Sequence, residues 1–113
     1  MAEKITRALS VRQPHAEMIL RGKKKTEYRV IPTRIRERVY IYASTKPGPD
    51  EAWRKAHCQP GDLPTGVLVG TVEIVDCIEN GRDDYHWTLA RPKRLGRRMK
   101  PKNQPQPIWF HPF

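Results

Sequence analysis

Four stretches of the chain have the hydrophobic patterns of β-strands. Residues 5–11 and 39–44 alternate apolar and polar side chains, as expected of strands with one buried face. Residues 66–78 are apolar at nearly every position, which predicts a strand covered on both sides. Gly70, in the middle of this stretch, predicts a bulge or bend at a point where a Cβ would not fit. Residues 108–110, Ile-Trp-Phe, predict a short last strand.

A short helix is predicted between the first strand and the charged residues that follow. Pro14 has the backbone torsion of a helix start, and Gly22 can adopt the left-handed conformation that ends a helix. These two residues delimit a helix over residues 14–21. Its apolar side chains are expected to face a sheet, and its charged side chains, Glu17 and Arg21, are expected to face outward.

Three further segments can be interpreted from composition. A second helix is predicted over residues 50–57, with Asp50 as its cap and Trp53 as its anchor. Residues 80–84, NGRDD, have the composition of a turn. Residues 85–90, YHWTLA, predict a short helix or an irregular aromatic segment.

Charge is concentrated directly after the first helix, at Lys23, Lys24 and Lys25. A strand that begins at residue 26 would place Glu27 and Arg29 on the same face as Lys25, because side chains alternate along a strand. Several charged groups would then converge where the helix meets this strand. The structural alternative is a solvated turn in which Glu27 is only a counter-ion.

The composition indicates one domain, residues 1–113, with a polyanionic partner. The 113 residues carry 22 Lys and Arg against 12 Asp and Glu, a formal net charge of +10. Such an excess favours contact with nucleic acid or phosphorylated ligands, although it also suits a merely soluble surface. Residues 91–102 contain seven basic and no acidic side chains, as expected of a surface that contacts a phosphate backbone. The candidates there for nucleic-acid binding are Arg91, Lys93, Arg94, Arg97 and Arg98.

Several classes of protein are disfavoured. No apolar run approaches the roughly 20 residues of a membrane span, and the first four residues, MAEK, do not begin a signal peptide. We therefore expect a cytoplasmic protein, as a monomer or weak dimer. Cys58 and Cys77 are isolated, and the four histidines have no metal-ligand spacing. Reduced thiols, no metal and no other cofactor are expected.

Two motifs resemble a known family. They are LSVRQP at residues 9–14 and G-x-K-x-x-E-x-R at residues 22–29, and the segments VYIYAS, GVLVGTV and PIWF agree with them. Together they resemble the ASCH domain, a branch of the PUA-like β-barrels. The resemblance implies an α+β fold, a small mixed β-barrel with two or three short helices packed on it. Similar barrels include RNA-binding modules, suspected ribonucleases and amidohydrolases that remove the acyl group of N4-acetylcytidine.

In the amidohydrolase branch, the element resembles G-x-K-T-x-T-x-R, with the lysine as activator and the second threonine as nucleophile. Lys24 and Arg29 match this pattern, whereas Lys25 and Glu27 stand at the two threonine positions. Lys24 is the candidate base, because neighbouring ammonium groups disfavour its charge. Glu27 would orient Lys24 or a water, and Arg29 would hold a carbonyl or phosphate oxygen.

The remaining catalytic groups must come from other segments. A hydroxyl of Ser44 or Thr45, or an activated water, would replace the missing threonine. The distal acid implied by the resemblance is assigned to Glu73, with Glu79 as the alternative. The expected substrate-binding residues are Arg12, Gln13, Pro14, His15, Gly22, Arg29 and Tyr42.

Two functions follow, and the sequence leaves both open. The first is hydrolysis of an N4-acylated cytosine base or nucleoside, which the set of lysine, glutamate and arginine favours. The second is an RNA-binding module, with or without ribonuclease activity. The net charge and the basic stretch favour the second, because a nucleoside hydrolase would not need them.

Overall fold

A computed structural model describes residues 4–113. Met1–Glu3, which belong to the segment examined for a signal peptide, lie outside the described residues. The elements in chain order are β1 (Ala8–Arg12), α1 (His15–Leu20), β2 (Thr26–Arg29), β3 (Arg38–Ser44), α2 (Asp50–Ala56), β4 (Val67–Gly81), β5 (Asp84–Met99) and β6 (Trp109–Phe110).

All six strands form one sheet, in the order β2-β5-β4-β3-β1-β6. β1 and β3 are parallel, and the other neighbours are antiparallel. The prediction of a mixed sheet with two helices is therefore confirmed. The predicted closed barrel is not found, because β2 and β6 are the two edges of the sheet and do not pair with each other. The last strand extends the sheet beside β1 but does not close it.

Side chains, rather than a backbone ladder, connect the two ends of the sheet. Trp87 in β5 stacks on Trp109 in β6, with ring centroids 5.7 Å apart. Arg29 in β2 donates a hydrogen bond of 2.8 Å from Nη2 to the Ser10 carbonyl oxygen in β1. The sheet therefore curls until β2 faces β1 and leaves an opening between them.

The core lies on the inner face of this curled sheet, and α1 packs into it. Of the apolar residues of the predicted first strand, Leu9 and Val11 are buried, whereas Ile5 precedes β1 and is only half-buried. The buried members of the main cluster are Leu9, Val11, Ala16, Ile19, Val39, Ile41, Ala43, Val69, Val72, Ile74, Trp87 and Leu89.

Residues 85–90 lie in the first half of strand β5, so the prediction of a helix or irregular segment was wrong. This part of β5 pairs with β4 on one side and with β2 on the other. Trp87 is completely buried between these strands. The strand preference of Tyr85, Trp87 and Thr88 agrees with the two backbone ladders and the buried indole that hold this segment as a strand. The predicted turn before it is confirmed, since residues 82–83 connect β4 to β5.

The second helix is confirmed, with one correction at its start. Trp53 is 4% exposed and anchors α2, as predicted. The residue that precedes the helix is Pro49, and no side chain caps the first turn. Asp50 is therefore the first helical residue and not the cap. Its charge still favours the first turn because the unpaired N–H groups there are positive.

Gly70 lies at the predicted bulge. Ile41 is opposite Gly70, but the next residue of β3, Tyr42, is opposite Leu68, so Val69 is the additional residue in β4. A Cβ at Gly70 would lie 2.4 Å from Leu20 Cδ2 and 2.7 Å from the Lys93 carbonyl oxygen. The bulge thus allows α1 to approach the sheet backbone directly.

We expect Gly70→Ala to lower the free energy of unfolding by about 1–3 kcal/mol, because the added methyl group overpacks the contact between α1 and the sheet. The measurement is the urea midpoint. Gly96→Ala is the matched control, since its Cβ would meet no heavy atom of residues 4–113 within 4 Å. Equal midpoints for the two variants would contradict this account of Gly70.

Candidate functional site

A cleft of 810 Å³ occupies the opening between β2 and β1. Residues of β1, β2 and β3 line it, and the segment 104–108 before β6 forms a further wall. Four cationic side chains line the cleft: Arg12, Lys24, Arg29 and Lys46. Within residues 4–113, Glu27 is the only acidic residue of its lining. The cleft therefore carries an excess of positive charge.

The Glu27 carboxylate lies at the centre of the charged residues. Glu27 is 6% exposed, and its Oε2 accepts hydrogen bonds from Arg29 Nη2 at 2.6 Å and Nε at 3.1 Å. Its Oε1 lies 3.5 Å from Lys24 Nζ. Glu27 and Arg29 share the inner face of β2 because they are two residues apart. The G-x-K-x-x-E-x-R spacing thus brings Lys24, Glu27 and Arg29 together.

Both oxygens of Glu27 are engaged by cations, so the acid offers little to repel an anion in the cleft. Arg29 is fixed as well, since its guanidinium also bonds to Ser10 and lies 5.7 Å from the centroid of the Trp87 ring. Lys23 and Lys25, which were expected to crowd Lys24, are exposed and do not line the cleft. Lys24 is therefore a cation held by a carboxylate rather than one of three clustered ammonium groups.

His15 lines the cleft at the start of α1 and is half-buried. Burial lowers the pKa of its imidazole below the usual value, and the positive charges of Lys24, Arg29 and Arg12 lower it further. The Glu27 carboxylate opposes this shift. His15 is therefore a neutral ring at neutral pH, available for stacking or hydrogen bonding.

Hydroxyl groups line the same cleft along the end of β3. Tyr42, Ser44 and Thr45 all contribute to the lining. Burial raises the pKa of the Tyr42 phenol, so this group remains protonated and can donate a hydrogen bond. Tyr42 and Ser44 share one face of β3, as the alternation along this strand predicted.

Three of the expected substrate-binding residues do not line the cleft. Gln13 is 1% exposed, and it donates to the Pro64 carbonyl oxygen at 3.0 Å and accepts from the Glu17 backbone N–H at 3.0 Å. It therefore satisfies a free donor of the first helical turn. Pro14 is buried at the start of α1, and Gly22 has φ +77° just after its end. In this structure these two residues lie at the start and just after the end of α1, outside the cleft lining.

Glu73, the candidate for the distal acid, also lies outside the cleft. The Glu73 carboxylate forms ion pairs with Arg91 and with Arg38, the latter at 3.8 Å from Nη2. It does not line the cleft, and neither does Glu79. The alternation of β4 places Glu73 opposite Arg38 of β3, so cross-strand pairing determines its partner.

Three parts of the lining were not predicted from the sequence. Lys46 lies in the loop between β3 and α2, and Tyr28 projects from the face of β2 opposite to Glu27. Tyr28 nevertheless lies at the edge of the cleft, where Lys24 Nζ is 5.0 Å from its ring centroid. Segment 104–108 is held by Ser10, through N–H to Ile108 O at 2.9 Å and Oγ to Gln106 O at 2.7 Å. No local signal could reveal these contacts between distant segments.

The basic stretch lies mostly in β5, and two of its arginines already have acidic partners. Arg91 is paired with Glu73. Arg94 Nη1 and Nη2 donate to Glu17 Oε1 and Oε2 at 2.8 and 3.0 Å. Lys93, Arg97 and Arg98 are exposed, so these three are the residues of the predicted nucleic-acid surface that have no ion pair within residues 4–113.

The side chain of Glu17 does not face outward as predicted. Its carboxylate is only 11% exposed and is shared by Arg94 and Arg21, whose Nε lies 2.8 Å from Oε2. The hydrogen bonds from Arg94 are the main reason that the pKa of Glu17 is lowered, and those from Arg21 add to the shift, while burial opposes it. Arg94 therefore joins β5 to α1.

Among the described residues, no helix is long and apolar enough to cross a membrane. Residues 4–113 also contain no group of three His, Cys, Asp or Glu side chains that could hold a metal ion.

Comparison with known proteins gives a consistent result. The family model of the ASCH domain matches residues 9–105. Activating signal cointegrator 1 of Homo sapiens is 37% identical over 81 residues, which is 62% of this chain and 14% of that protein. The protein of the same name from Mus musculus is 36% identical over the same shares. The chain thus corresponds to a small part of these relatives.

We expect Glu17→Gln to lower the free energy of unfolding by about 1–2 kcal/mol at neutral pH, because it removes charge-assisted hydrogen bonds to two arginines. The pKa of Glu17 is lower in the folded than in the unfolded chain. Its contribution is therefore complete above the unfolded pKa and is lost as the pH falls through the folded pKa.

The measurement is denaturant unfolding from neutral pH into the acid range. The difference between parent and variant should shrink on acidification. Glu51→Gln is the control, because Glu51 forms an exposed pair with Lys55 at 3.5 Å, and its effect should stay near 0.5 kcal/mol or less. A Glu17→Gln effect that does not change with pH would rule out the ion pair as its source.

Proposed function

The chain belongs to the ASCH domain family, and on this premise we propose that its cleft binds single-stranded RNA. The observation that carries the proposal is the charge of the cleft. Arg12, Lys24, Arg29 and Lys46 line it, and the carboxylate of Glu27 is already engaged by two of them. The RNA phosphates would be bound mainly by the two cations that Glu27 does not hold, Arg12 and Lys46.

The size and the lining of the cleft suit an unpaired nucleotide. Its volume of 810 Å³ lies within the roughly 300–1,000 Å³ of sites for small organic ligands. The rings of His15, Tyr28 and Tyr42 also line it. A base can stack on such rings only when it is not already stacked in a duplex, which favours a single strand.

The remaining charge of the chain supports the same function. With a net charge of +10, the protein attracts polyanions at long range, and binding releases their counterions. Lys93, Arg97 and Arg98 are exposed on β5 and can add to this attraction. In our proposal the cleft holds the nucleotide, whereas these three residues strengthen binding without positioning the RNA.

The test is fluorescence anisotropy of a labelled single-stranded RNA at several salt concentrations. We expect Arg12→Ala and Lys46→Ala each to weaken binding roughly three- to tenfold at low salt, because each removes a phosphate contact. Each should also reduce the slope of log K against log salt concentration by about 0.7, the value for one contact with a single strand. The duplex of the same sequence should bind more weakly.

Lys55→Ala is the matched control, because it removes the same charge from the exposed face of α2, outside the cleft. It should leave the affinity nearly unchanged. The proposal fails if the parent protein does not bind the single strand. It also fails if Lys55→Ala weakens binding as much as Lys46→Ala, since bulk charge alone would then explain the affinity.

Hydrolysis of an N4-acylated cytosine nucleoside is a second candidate, favoured by one observation. Lys24, Glu27 and the hydroxyls of Ser44 and Thr45 line the same cleft. Amide cleavage needs a nucleophile, a proton acceptor and a cation for the developing oxyanion, and these groups are of the required kinds. It ranks second because Glu27 is engaged at both oxygens and would have to release a cation to act as a base.

The second candidate is tested with N4-acetylcytidine, followed by its ultraviolet absorbance. If it is correct, the parent turns the nucleoside over and Lys24→Ala loses this activity, because Lys24 is the activating group. Ser44→Ala should also be inactive if its hydroxyl is the nucleophile, and Lys55→Ala should remain active. A parent protein that is inactive on this and on bulkier N4-acyl cytosines would eliminate the candidate.

A further inference from the structure

A row of ring and aliphatic side chains crosses the outer face of the sheet next to the cleft. Tyr28 of β2 lies opposite His86 of β5, which in turn lies opposite Ile78 of β4. Residues directly opposite one another in antiparallel strands project from the same face. The rings of Tyr28 and His86 are in edge contact, with centroids 4.8 Å apart and planes at 83°.

Two residues of this row are exposed to solvent, and the His86 side chain between them is 29% exposed. Tyr28 is 61% exposed and Ile78 is 52% exposed. The neighbouring residues in the three strands are Glu27, Trp87 and Cys77. They lie opposite one another and face the interior. Strand alternation assigns the first row to the solvent side, where its three neighbouring side chains are available for contact with a ligand.

The row is continuous with the cleft. Tyr28 lines the cleft and also begins the row, and Lys24 Nζ lies 5.0 Å from its ring centroid. From Tyr28 the row crosses two strand spacings, about 10 Å, before it ends at Ile78. A single-stranded RNA whose phosphate is held in the cleft would therefore reach this row with its next nucleotide.

We propose that Tyr28, His86 and Ile78 form a second subsite, on which the base of the nucleotide next to the one in the cleft is packed. This inference rests on the proposed binding of single-stranded RNA. Because the two rings are nearly perpendicular, a base would stack on the face of one ring and pack against Ile78 beside it. Every base has such a face to offer, so the subsite would select an unpaired base without selecting its identity.

The charges around the row indicate that it contacts the base and not the phosphate. Asp84 Oδ1 lies 3.3 Å from His86 Nε2, and Asp76 is opposite Thr88, in the adjacent outward-facing row. These carboxylates repel phosphate, whereas the cations of the cleft attract it. The row should therefore add affinity without adding salt dependence.

The test compares a mononucleotide and a single-stranded RNA trinucleotide by isothermal titration calorimetry. The parent protein should bind the trinucleotide more tightly. His86→Ala should weaken trinucleotide binding about tenfold and Ile78→Ser about fivefold, because each removes part of the stacking surface. Neither should change the affinity for the mononucleotide or the salt slope, since neither residue lines the cleft.

Val75→Ser is the matched control, because Val75 is an exposed aliphatic residue of β4, 40% exposed, that is not in register with Tyr28 and His86. It should leave trinucleotide binding unchanged. The subsite is refuted if the trinucleotide binds no more tightly than the mononucleotide, or if His86→Ala and Ile78→Ser behave like Val75→Ser. The latter result would assign this face to a protein partner.

These outcomes are distinct from failure of the proposed function. If the cleft binds the mononucleotide but the row variants have no effect, single-nucleotide binding stands and only the subsite is lost. If the parent binds neither ligand, the proposed function fails, and the subsite fails with it.

Discussion

Arg29, which pairs with Glu27 within β2, connects the two sides of an open sheet, and the cleft depends on it. A buried carboxylate is costly unless it is paired, so Glu27 requires the guanidinium that bonds to it at 2.6 Å. The same guanidinium reaches the Ser10 carbonyl oxygen at 2.8 Å. One arginine therefore neutralises the buried acid and ties β2 to β1. Because a side chain makes this connection instead of a backbone ladder, space remains between the strands.

The electrostatics of the cleft follow from that arrangement. Glu27 is engaged by Arg29 and Lys24, so it stabilises two cations beside the cavity without leaving a free negative charge. His15 stays neutral because burial and the surrounding cations lower its pKa. Arg12 and Lys46 remain at the cleft without an acidic partner within residues 4–113. The acid thus holds two of the cations that line the cleft, and this is why we place binding ahead of hydrolysis.

Local signals were sufficient for much of the fold. Pro14 and Gly22 delimit α1, and alternation identifies β3 from residue 39 and β1 from residue 5, three residues before its observed start at Ala8. The spacing of Glu27 and Arg29 was sufficient to place both on one face. The wrong predictions have a common cause. In each case a residue distant in sequence determines the local structure or the burial of the side chain. Trp87 makes residues 85–90 a strand because β2 and β4 enclose it, and Glu17 is buried because Arg94, 77 positions later, reaches it.

Ion pairs between residues distant in sequence also explain why the number of basic residues overestimates the number of cations that are free to bind phosphate. Arg94 holds Glu17, while Arg91 and Arg38 hold Glu73, and each of these contacts joins separate elements of the fold. A cation whose charge is satisfied within the protein contributes less to phosphate binding than a free one, because binding would have to break or share the existing pair. The cations available to a ligand are those that the fold leaves without an acid within residues 4–113. Arg12 and Lys46 are two of them, and the cleft places them beside the rings of His15, Tyr28 and Tyr42.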